Sequence, residues 1–420
     1  MSLNWKRISL LLGFIATVIL IGYGLYFVFL RPAIPTPPAN VNINAEPGVL
    51  PPAGGNVNIP TAGNINGALP GVANVNIPSP PPELPAGVQL PSETASGGLT
   101  KTNALTSSRA FQPTIDADGQ SAIYYDKTTG LFYRINAAGQ ATPLTSQLFF
   151  EVENVTWSPD KKQAVLEYPD GSNVVYNFAT GKQVTLPKHW KDFDFSPDGK
   201  QLVLKSMGLD EENRWLAVAS ADGSQAVKIE HLGNKDSTVY PSWSNNNQII
   251  AMYTEDQDFN RQNLFFVGLN GENFKSMAIN GRGFQNQWST NGDKLLYSVY
   301  SSGNEYKPTL WIVEASGDRI GLNRKSLQLD TWADKCDFAD NDLVYCAVPR
   351  SLPEGAGIFP SELDNSAYDI YQIDLKSGFR SKVAIPEGSH NIDNVIVTAD
   401  GNYLYFTNQN TGQLYNIRLK

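Results

Sequence analysis

Beyond residue 99, the apolar residues of the chain fall in short runs that are separated by turn-forming residues. Residues 201–204 (Gln-Leu-Val-Leu) and 263–267 (Asn-Leu-Phe-Phe-Val) are two such runs, and Gly, Asn, Asp and Pro cluster between them. Short apolar runs bounded by turn residues are typical of β-strands. Because the runs show no helical periodicity, we predict an all-β fold for residues 99–420.

One turn sequence recurs between the predicted strands. Residues 157–160 read Trp-Ser-Pro-Asp, and residues 195–199 read Phe-Ser-Pro-Asp-Gly. Serine accepts backbone hydrogen bonds at the first turn position, proline sets φ at about −65° at the second, and glycine tolerates the left-handed conformation at the fourth. Each copy is therefore predicted to be a hairpin turn after a strand that ends in a large aromatic side chain.

Less regular copies of the turn continue the pattern along the chain. They lie at residues 115–119, 243–247, 288–292, 338–341 and 397–401. A repeat of roughly 40 to 60 residues that is built from strands is typical of a β-propeller, whose blades hold about four strands each. The copies indicate a single seven-bladed propeller, with six or eight blades as the alternative counts.

The two ends of the predicted propeller complement each other. The last repeat supplies strands around residues 394–397, 403–407 and 413–419, and it lacks an outer strand. Residues 101–106 contain Ala-Leu-Thr, which is similar to the Pro-Leu-Thr of the first blade's outer strand at 143–145. A strand from the N-terminal end would remove an exposed sheet edge. We therefore expect residues 101–106 to complete the last blade.

The repeat has a family resemblance. The Trp-Ser-Pro-Asp-Gly turn, followed by runs such as residues 369–374 (Asp-Ile-Tyr-Gln-Ile-Asp), resembles the repeat of TolB-type propellers and of the propeller domains of prolyl oligopeptidase relatives. The resemblance covers roughly residues 100–420 and implies an architecture. The sequence contains no Gly-x-Ser-x-Gly elbow, so the hydrolase partner of oligopeptidase propellers is not expected.

The N-terminal region has a different hydrophobic pattern. Residues 8–30 carry no charge and are dominated by Leu, Ile, Val and Phe. About 20 apolar residues span a bilayer, whereas the core of a signal peptide has about 7 to 15. Lys6 and Arg7 precede the run, and only Arg31 follows it closely. The positive-inside rule then places residues 1–7 in the cytoplasm, makes 8–30 a single-pass signal anchor, and leaves the propeller outside the cytoplasm.

Residues 31–98 are rich in Pro, Asn, Gly and Ala, and Asn-Val-Asn-Ile recurs at 40–43, 56–59 and 74–77. With few large side chains, this segment cannot bury enough apolar surface to offset the loss of chain entropy. We predict a disordered linker that serves as a stalk. A repeat that a partner recognises is the alternative.

The net charge of the chain bears on its possible partners. The net charge is −9 and no basic stripe is present, so we expect no nucleic-acid partner.

The two cysteines lie in one predicted hairpin. A hairpin that pairs residue 338 with 344 places Cys336 opposite Cys346, at a Cα separation of about 4.5 to 5.5 Å that suits a disulfide. Because the predicted compartment is oxidising, we predict this disulfide, with two buried thiols as the alternative.

Long loops are expected on the face opposite to the repeat turns, at residues 207–214, 255–262, 301–308 and 349–367. Long loops on a rigid framework are the usual location of binding sites. The candidate binding residues are Asp210, Glu211, Glu212, Arg214, Asp256, Asp258, Arg261, Tyr306 and Phe359. Solvated loops without a role are the alternative.

Two metal sites are conceivable from the sequence. Asp256, Asp258 and Asn260 have the oxygen spacing of the first half of a calcium loop, although the glycine and distal glutamate of an EF-hand are missing. His189, His231 and His390 fall in connections between blades, where three imidazoles would bind a metal if they met near the axis. Isolated polar residues are the alternative in both cases, and neither a metal nor a cofactor is our expectation.

Two functional hypotheses follow, beside a purely structural role in which the propeller is a spacer. The first is a membrane-anchored, extracytoplasmic propeller that binds a protein or an envelope polymer without catalysis. The second is an extracellular hydrolase or lyase with carboxylates, or a histidine-bound metal, in the axial pocket. The second hypothesis requires at least two acids, or two of the three histidines, close together in the channel.

Overall fold

The computed structural model describes residues 90–363 and 366–420, together with Leu20. Apart from Leu20, the predicted anchor at 8–30 lies outside these residues, and so does most of the predicted linker at 31–98. Among the described residues, no helix has the length and apolar character needed to cross a membrane. The description below therefore concerns the C-terminal part of the chain.

Within the described residues, 29 strands form seven sheets. At most boundaries between neighbouring sheets, including that between the last sheet and the first, the first strands contact each other, so they surround a central axis as in a propeller. Blade I contains β3 (Ala110–Ile115), β4 (Ala122–Asp126), β5 (Leu131–Ile135) and β6 (Ala141–Pro143). Blade II contains β7 (Asn154–Trp157), β8 (Gln163–Glu167), β9 (Asn173–Asn177) and β10 (Gln183–Leu186). Blade III contains β11 (Trp190–Phe195), β12 (Gln201–Met207), β13 (Arg214–Ser220) and β14 (Val227–His231).

The remaining blades follow the same order from inner to outer strand. Blades IV to VII contain β15 (Val239–Pro241), β16 (Ala251–Asp256), β17 (Arg261–Val267) and β18 (Met277–Asn280); β19 (Arg282–Trp288), β20 (Lys294–Tyr300), β21 (Pro308–Glu314) and β22 (Lys325–Ser326); β23 (Cys336–Phe338), β24 (Leu343–Pro349), β25 (Tyr368–Asp374) and β26 (Arg380–Pro386); β27 (Ile392–Val397), β28 (Tyr403–Asn408) and β29 (Leu414–Arg418). Short 3-10 turns occur at Glu211–Asn213, Asp236–Thr238, Ser302–Asn304, Gly317–Arg319, Ala333–Lys335 and Pro360–Leu363. The all-β, seven-bladed prediction is confirmed.

The apolar pattern of the strands depends on their position in the blade. The second strand β4 is buried along its whole length, whereas the outer strand β6 is exposed. A second strand packs against neighbouring blades on both of its faces, so it requires apolar side chains at successive positions and not at alternate ones. This packing explains the continuous apolar runs in the sequence.

A strand from the N-terminal end closes the ring, as predicted. β2 (Asn103–Ala104) pairs antiparallel with β29, with Asn103 opposite Asn416, and becomes the outer strand of blade VII. A second strand, β1 (Leu99–Thr100), adds to the outer edge of blade VI by pairing in parallel with β26. Blade VI therefore has five strands, a feature that the sequence analysis did not anticipate.

The segment before β1 also contacts the propeller. The amide of Ala95 donates to the carbonyl of Arg418 at 2.9 Å, and that of Gly97 donates to Val383 at 2.8 Å. The amide of Ser92 donates to Leu99 at 2.9 Å. Residues 92–97, which the sequence analysis assigned to the linker, are thus hydrogen-bonded to blades VI and VII. The amino-acid composition did not indicate these hydrogen bonds, because backbone amides form them.

The two cysteines join the inner two strands of blade VI. Cys336 lies directly opposite Cys346, and Phe338 lies opposite Val344, in the register that the sequence predicted. The Cα atoms are 4.0 Å apart and the two sulfur atoms are bonded. The predicted disulfide is confirmed.

Candidate functional site

The propeller has two faces with different connections. The turns between the first and second strands lie on one face, which we call the turn face. The loops between the second and third strands lie on the opposite face, together with the connections between blades, and we call it the loop face. The long loops predicted at 207–214, 255–262, 301–308 and 349–367 all belong to the loop face.

The recurring turns serve the fold. Ser196 donates its hydroxyl hydrogen to Asp198 Oδ1 at 2.7 Å and accepts the amide of Gln201 at 3.0 Å. Ser158 and Asp160 form the same arrangement in the preceding blade. Because these polar groups are satisfied within the turn, the repeat motif specifies hairpin geometry and leaves no reactive group.

The loop of blade III is held by a predicted binding residue. Arg214 donates to the carbonyls of Gly208 at 3.2 Å, Leu209 at 3.3 Å and Gly233 at 3.5 Å. Its guanidinium therefore stabilises the loop. The acidic candidates of this loop remain exposed, and they are Asp210, Glu211 and Glu212.

The acidic residues of the blade IV loop are paired with arginines. Asp258 forms an ion pair with Arg261 at 2.6 Å. Asp256 pairs with Arg282, a residue of β19 that the sequence analysis did not single out. Asn260 accepts a hydrogen bond from the Ser302 hydroxyl at 3.1 Å.

These ion pairs affect whether residues 256–260 can bind calcium. Both carboxylates face guanidinium groups, so the loop in this arrangement does not offer a set of free oxygen ligands. Within residues 90–363 and 366–420, no group of three or more His, Cys, Asp or Glu side chains is arranged to hold a metal ion.

The long loops of blades V and VI contact each other. Gly355 and Gly357 donate their amides to the carbonyls of Glu305 and Tyr306, each at 2.8 Å. Glu305 and Tyr306 both adopt the left-handed backbone conformation, with φ of 53° and 54°. Two successive residues other than glycine with positive φ are uncommon and occur where surrounding contacts impose them. The blade VI insertion is thus braced on blade V beside the candidate Tyr306.

Exposed apolar side chains are concentrated on the loop face. Leu209 is 99% exposed in the blade III loop, Phe259 73% in the blade IV loop, and Phe359 58% in the blade VI loop. Further exposed members are Leu148 and Phe150 in the connection between blades I and II, and Ile358. The sequence analysis singled out Phe359 alone. Leu209 and Phe259 could have been identified in the sequence as single apolar residues among the charged residues of a long loop.

The three histidines lie in different surroundings. His390 is buried: one ring nitrogen contacts the Glu387 carbonyl at 2.8 Å, and the other contacts the Asn408 amide at 3.1 Å. His231 packs against the ring of Trp215. His189 packs against Trp190. Each histidine thus has partners within its own part of the ring.

Two aspartates occupy equivalent positions on inner strands. Asp194 of β11 and Asp337 of β23 each precede the aromatic residue that ends the strand, and both are largely buried. Asp194 accepts the backbone amide of Trp243 in blade IV at 2.7 Å. Asp337 accepts that of Val397 in blade VII at 2.7 Å. Each carboxylate therefore ties its blade to the next.

A lysine from blade II lies near both aspartates. Lys161 has φ of 58° at the turn position that Gly199 occupies in the next blade. Its ammonium donates to the Thr114 hydroxyl of blade I at 3.2 Å and interacts electrostatically with Asp194 and Asp337. Blades I, II, III and VI approach one another only around the axis. The three charged groups therefore belong to the axial channel, for which the sequence analysis had named only the three histidines.

Burial dominates the titration of this cluster. It raises the pKa of Asp194 and that of Asp337 to about 6, against the opposing effects of backbone hydrogen bonds and of Lys161. Burial also lowers the pKa of Lys161. Because the folded state binds these two carboxyl protons more tightly than an unfolded chain does, its stability should decrease as the pH rises from about 4 to about 6.

A double substitution tests this linkage. We expect the free energy of unfolding of the natural chain to increase between pH 7 and pH 5 relative to that of an Asp194→Asn/Asp337→Asn variant, measured by urea unfolding at each pH. His390, whose pKa burial lowers, titrates in the same window but is present in both proteins, so the difference between them isolates the aspartates. Parallel pH profiles would contradict the assignment.

The chain matches no protein family model and no curated protein by sequence. Among solved structures it is similar to the β-propeller domain of Cps50 (Swd1) from Myceliophteria thermophila, with 10% identity and a TM-score of 0.52 over 76% of this chain and 100% of that chain. An oligogalacturonate lyase in complex with manganese has 16% identity and a TM-score of 0.50, over 76% of this chain and 93% of that chain. At such identities the similarity concerns the fold alone. The described C-terminal part of the chain is a seven-bladed β-propeller.

Proposed function

We propose that this chain is a membrane-anchored, extracytoplasmic propeller of TolB-type repeats that binds a protein or an envelope polymer through its loop face, without catalysis. The observation that carries the proposal is the set of exposed apolar side chains on the long loops of this face, which includes Leu209, Phe259 and Phe359. Exposed apolar groups on a rigid framework are typical of interaction sites, and aromatic residues dominate binding energy when a partner buries them.

The surroundings of these side chains support recognition. Charged groups flank the apolar tips, as the rim of an interface requires: Asp210, Glu211 and Glu212 beside Leu209, and the Asp258–Arg261 pair beside Phe259. Arg214 and the contacts at Glu305 and Tyr306 hold the loops before a partner arrives, which lowers the ordering cost of association.

The loop face contains a cleft between blades IV and V. It has a volume of about 560 Å³ and is lined by residues 258–261 and 301–303 together with Asn280. Its lining is rich in amide and hydroxyl groups, with the ring of Phe259 among them. A partner that places a polar group in this cleft and apolar groups on the loop tips would use both features.

The chemistry of the channel favours binding over catalysis. Asp194 and Asp337 lie near the axis, but in each carboxylate one oxygen accepts the amide of the next residue and the other accepts an amide from the neighbouring blade. A general acid or base needs an oxygen that can reach a substrate proton. We therefore assign these aspartates to holding the ring together.

Substitution of the loop tips tests the proposal. A Leu209→Ser/Phe259→Ser/Phe359→Ser variant of the full chain should capture its partner from envelope extracts at least about tenfold less well, because each buried anchor contributes more than about 1 kcal/mol. The matched control is Leu322→Ser/Phe379→Ser, which removes exposed apolar side chains from the turn face. Equal capture by the loop-face variant and the natural chain, or equal loss in both variants, would contradict the proposal.

A further inference from the structure

The cleft between blades IV and V on the loop face continues into a second cavity beside the third strand of blade V. The second cavity has a volume of about 360 Å³ and shares Asn280, Ser301 and Gly303 with the first. Its blade V wall includes Val299 and Trp311, which both pack in the core between blades IV and V. The two cavities therefore form one groove on the blade IV side of the blade V sheet, and we call it the IV–V groove.

Amide and hydroxyl groups dominate the lining of the IV–V groove. Asn280 and Ser301, which border both cavities, form no side-chain hydrogen bond with any other described residue. Amides and hydroxyls both donate and accept hydrogen bonds, so these two side chains are open to a ligand that does the same. The six lining residues with such groups are Asn260, Asn280, Ser301, Ser302, Asn304 and Thr309.

The charged groups of the groove are few and mostly satisfied. They belong to Asp258, Arg261 and Asp330. Asp258 and Arg261 form an ion pair with each other, and Asp330 accepts a hydrogen bond from the Asn304 amide at 3.0 Å. A charged ligand needs opposite charges to offset the loss of its hydration. The lining therefore suits a ligand that is polar but uncharged.

An exposed aromatic ring borders the groove on a loop whose backbone is held in place. Phe259 is 73% exposed. Arg282 of blade V donates from Nε to the carbonyl of Phe259 at 3.2 Å. The amide of Gly281 donates to the carbonyl of the adjacent Asn260 at 2.7 Å. Because the loop backbone is already fixed, a ligand that covers the ring pays little for ordering it.

We propose that the IV–V groove binds a segment of an uncharged polysaccharide chain. This inference rests on the proposed function and names the partner that this part of the loop face would take. A sugar ring has a face of C–H groups, which would pack on the ring of Phe259. Its rim of hydroxyls would donate to and accept from Asn280 and Ser301. Because the two cavities are continuous, the groove would hold more than one sugar unit.

Calorimetric titration of the full-length chain tests the site. The neutral probes are cellotetraose and N-acetylchitotetraose, and a hyaluronan tetrasaccharide is the charged probe. Saturable binding of at least one neutral probe is expected. Its monosaccharide should bind at least about tenfold more weakly, since it fills only part of the groove. The charged probe should also bind at least about tenfold more weakly, because the chain has a net charge of −9. Absence of binding by both neutral probes, or tighter binding of the charged probe, would overturn the proposal.

Single substitutions locate the binding. Phe259→Ala should weaken it by about tenfold because an aromatic contact is lost, whereas Phe259→Tyr keeps a ring and should stay within about threefold. Asn280→Ala should weaken it by about fivefold through the lost hydrogen bonds. Both side chains are exposed, so the fold tolerates these changes. The matched control is Phe379→Ala, which removes an exposed ring from the turn face and should leave the affinity unchanged. Equal affinities in Phe259→Ala, Asn280→Ala and the control would overturn the site.

This inference and the proposed function can fail separately. If neither neutral tetrasaccharide binds, but the Leu209→Ser/Phe259→Ser/Phe359→Ser variant still loses its envelope partner, the proposed function holds and the saccharide inference is wrong. If a neutral tetrasaccharide binds and Asn280→Ala weakens it, the groove is a saccharide site even when the loop-tip variant captures its partner normally.

Discussion

A chain that begins at residue 107 should unfold at a temperature about 10 °C or more below that of a chain that begins at residue 90, because it lacks both strands that close the ring. β2 supplies the outer strand of blade VII, and β1 covers the outer edge of blade VI. Without them, two sheets end in unpaired edges and the last blade has three strands.

Removal of β2 would also leave buried polar groups without their partners. Asn416 is fully buried, and its side chain bonds Asn103 at 3.0 Å and the Ala137 carbonyl at 2.9 Å. The amide of Leu414 donates to the Thr106 hydroxyl at 3.0 Å. A buried polar group without a partner costs about 1 to 3 kcal/mol, and the apolar packing of the strand adds to this amount.

A chain that begins at residue 99 is the informative intermediate. It keeps β1 and β2 but lacks the amides of Ala95 and Gly97 that bond Arg418 and Val383. Its unfolding temperature, measured by scanning calorimetry, should lie between those of the other two chains and nearer to that of the longer one. If the chain from residue 107 unfolds at the same temperature as the chain from residue 90, the N-terminal strands do not stabilise the ring.

Trp288→Ala should destabilise the propeller by about 3 to 5 kcal/mol, the range for removing a large buried aromatic side chain. Trp288 ends the inner strand of blade V, is only 9% exposed, and packs in the core between blades IV and V. Its indole nitrogen donates to the Ser242 hydroxyl at 3.0 Å. The substitution would leave a cavity between two blades and remove the hydrogen bond from the indole to Ser242.

The repeat itself suggests the control. Blades III and VI have Phe195 and Phe338 at the position of Trp288, so Trp288→Phe keeps an aromatic ring that the fold accommodates elsewhere. In urea unfolding it should cost less than half of the free energy that Trp288→Ala costs, with an unchanged dependence on urea concentration in both. Equal destabilisation by the two variants would mean that the indole hydrogen bond, and not the packing, stabilises this boundary.

Local features of this protein were predictable because they depend on neighbouring residues. Ser158 and Ser196 specify hairpin turns through bonds to residues within the same turn. The position of that turn sets the register of the hairpin, and the register in blade VI brings Cys336 opposite Cys346. The blade count follows from the recurrence of the same local signal along the chain.

The candidate sites were predictable only in part. Loop length correctly indicated where the loop face is irregular, and the candidate Phe359 is exposed on one of these loops. The partners of the charged candidates were not predictable: Arg214 bonds carbonyls of its own loop, and Asp256 bonds Arg282 from the next blade. Such pairings depend on how one loop packs against another.

The sequence by itself determined the strands, their turns, the disulfide and the closure of the ring, since each rests on hydrogen bonding or pairing with a recognisable local pattern. Only the tertiary structure decided which side chains lie close together at the axis and between blades. Lys161, Asp194 and Asp337 come from three separate repeats, and Asp256 of blade IV pairs with Arg282 of blade V. Ring closure brings these groups together, and no pattern within a single repeat encodes their proximity.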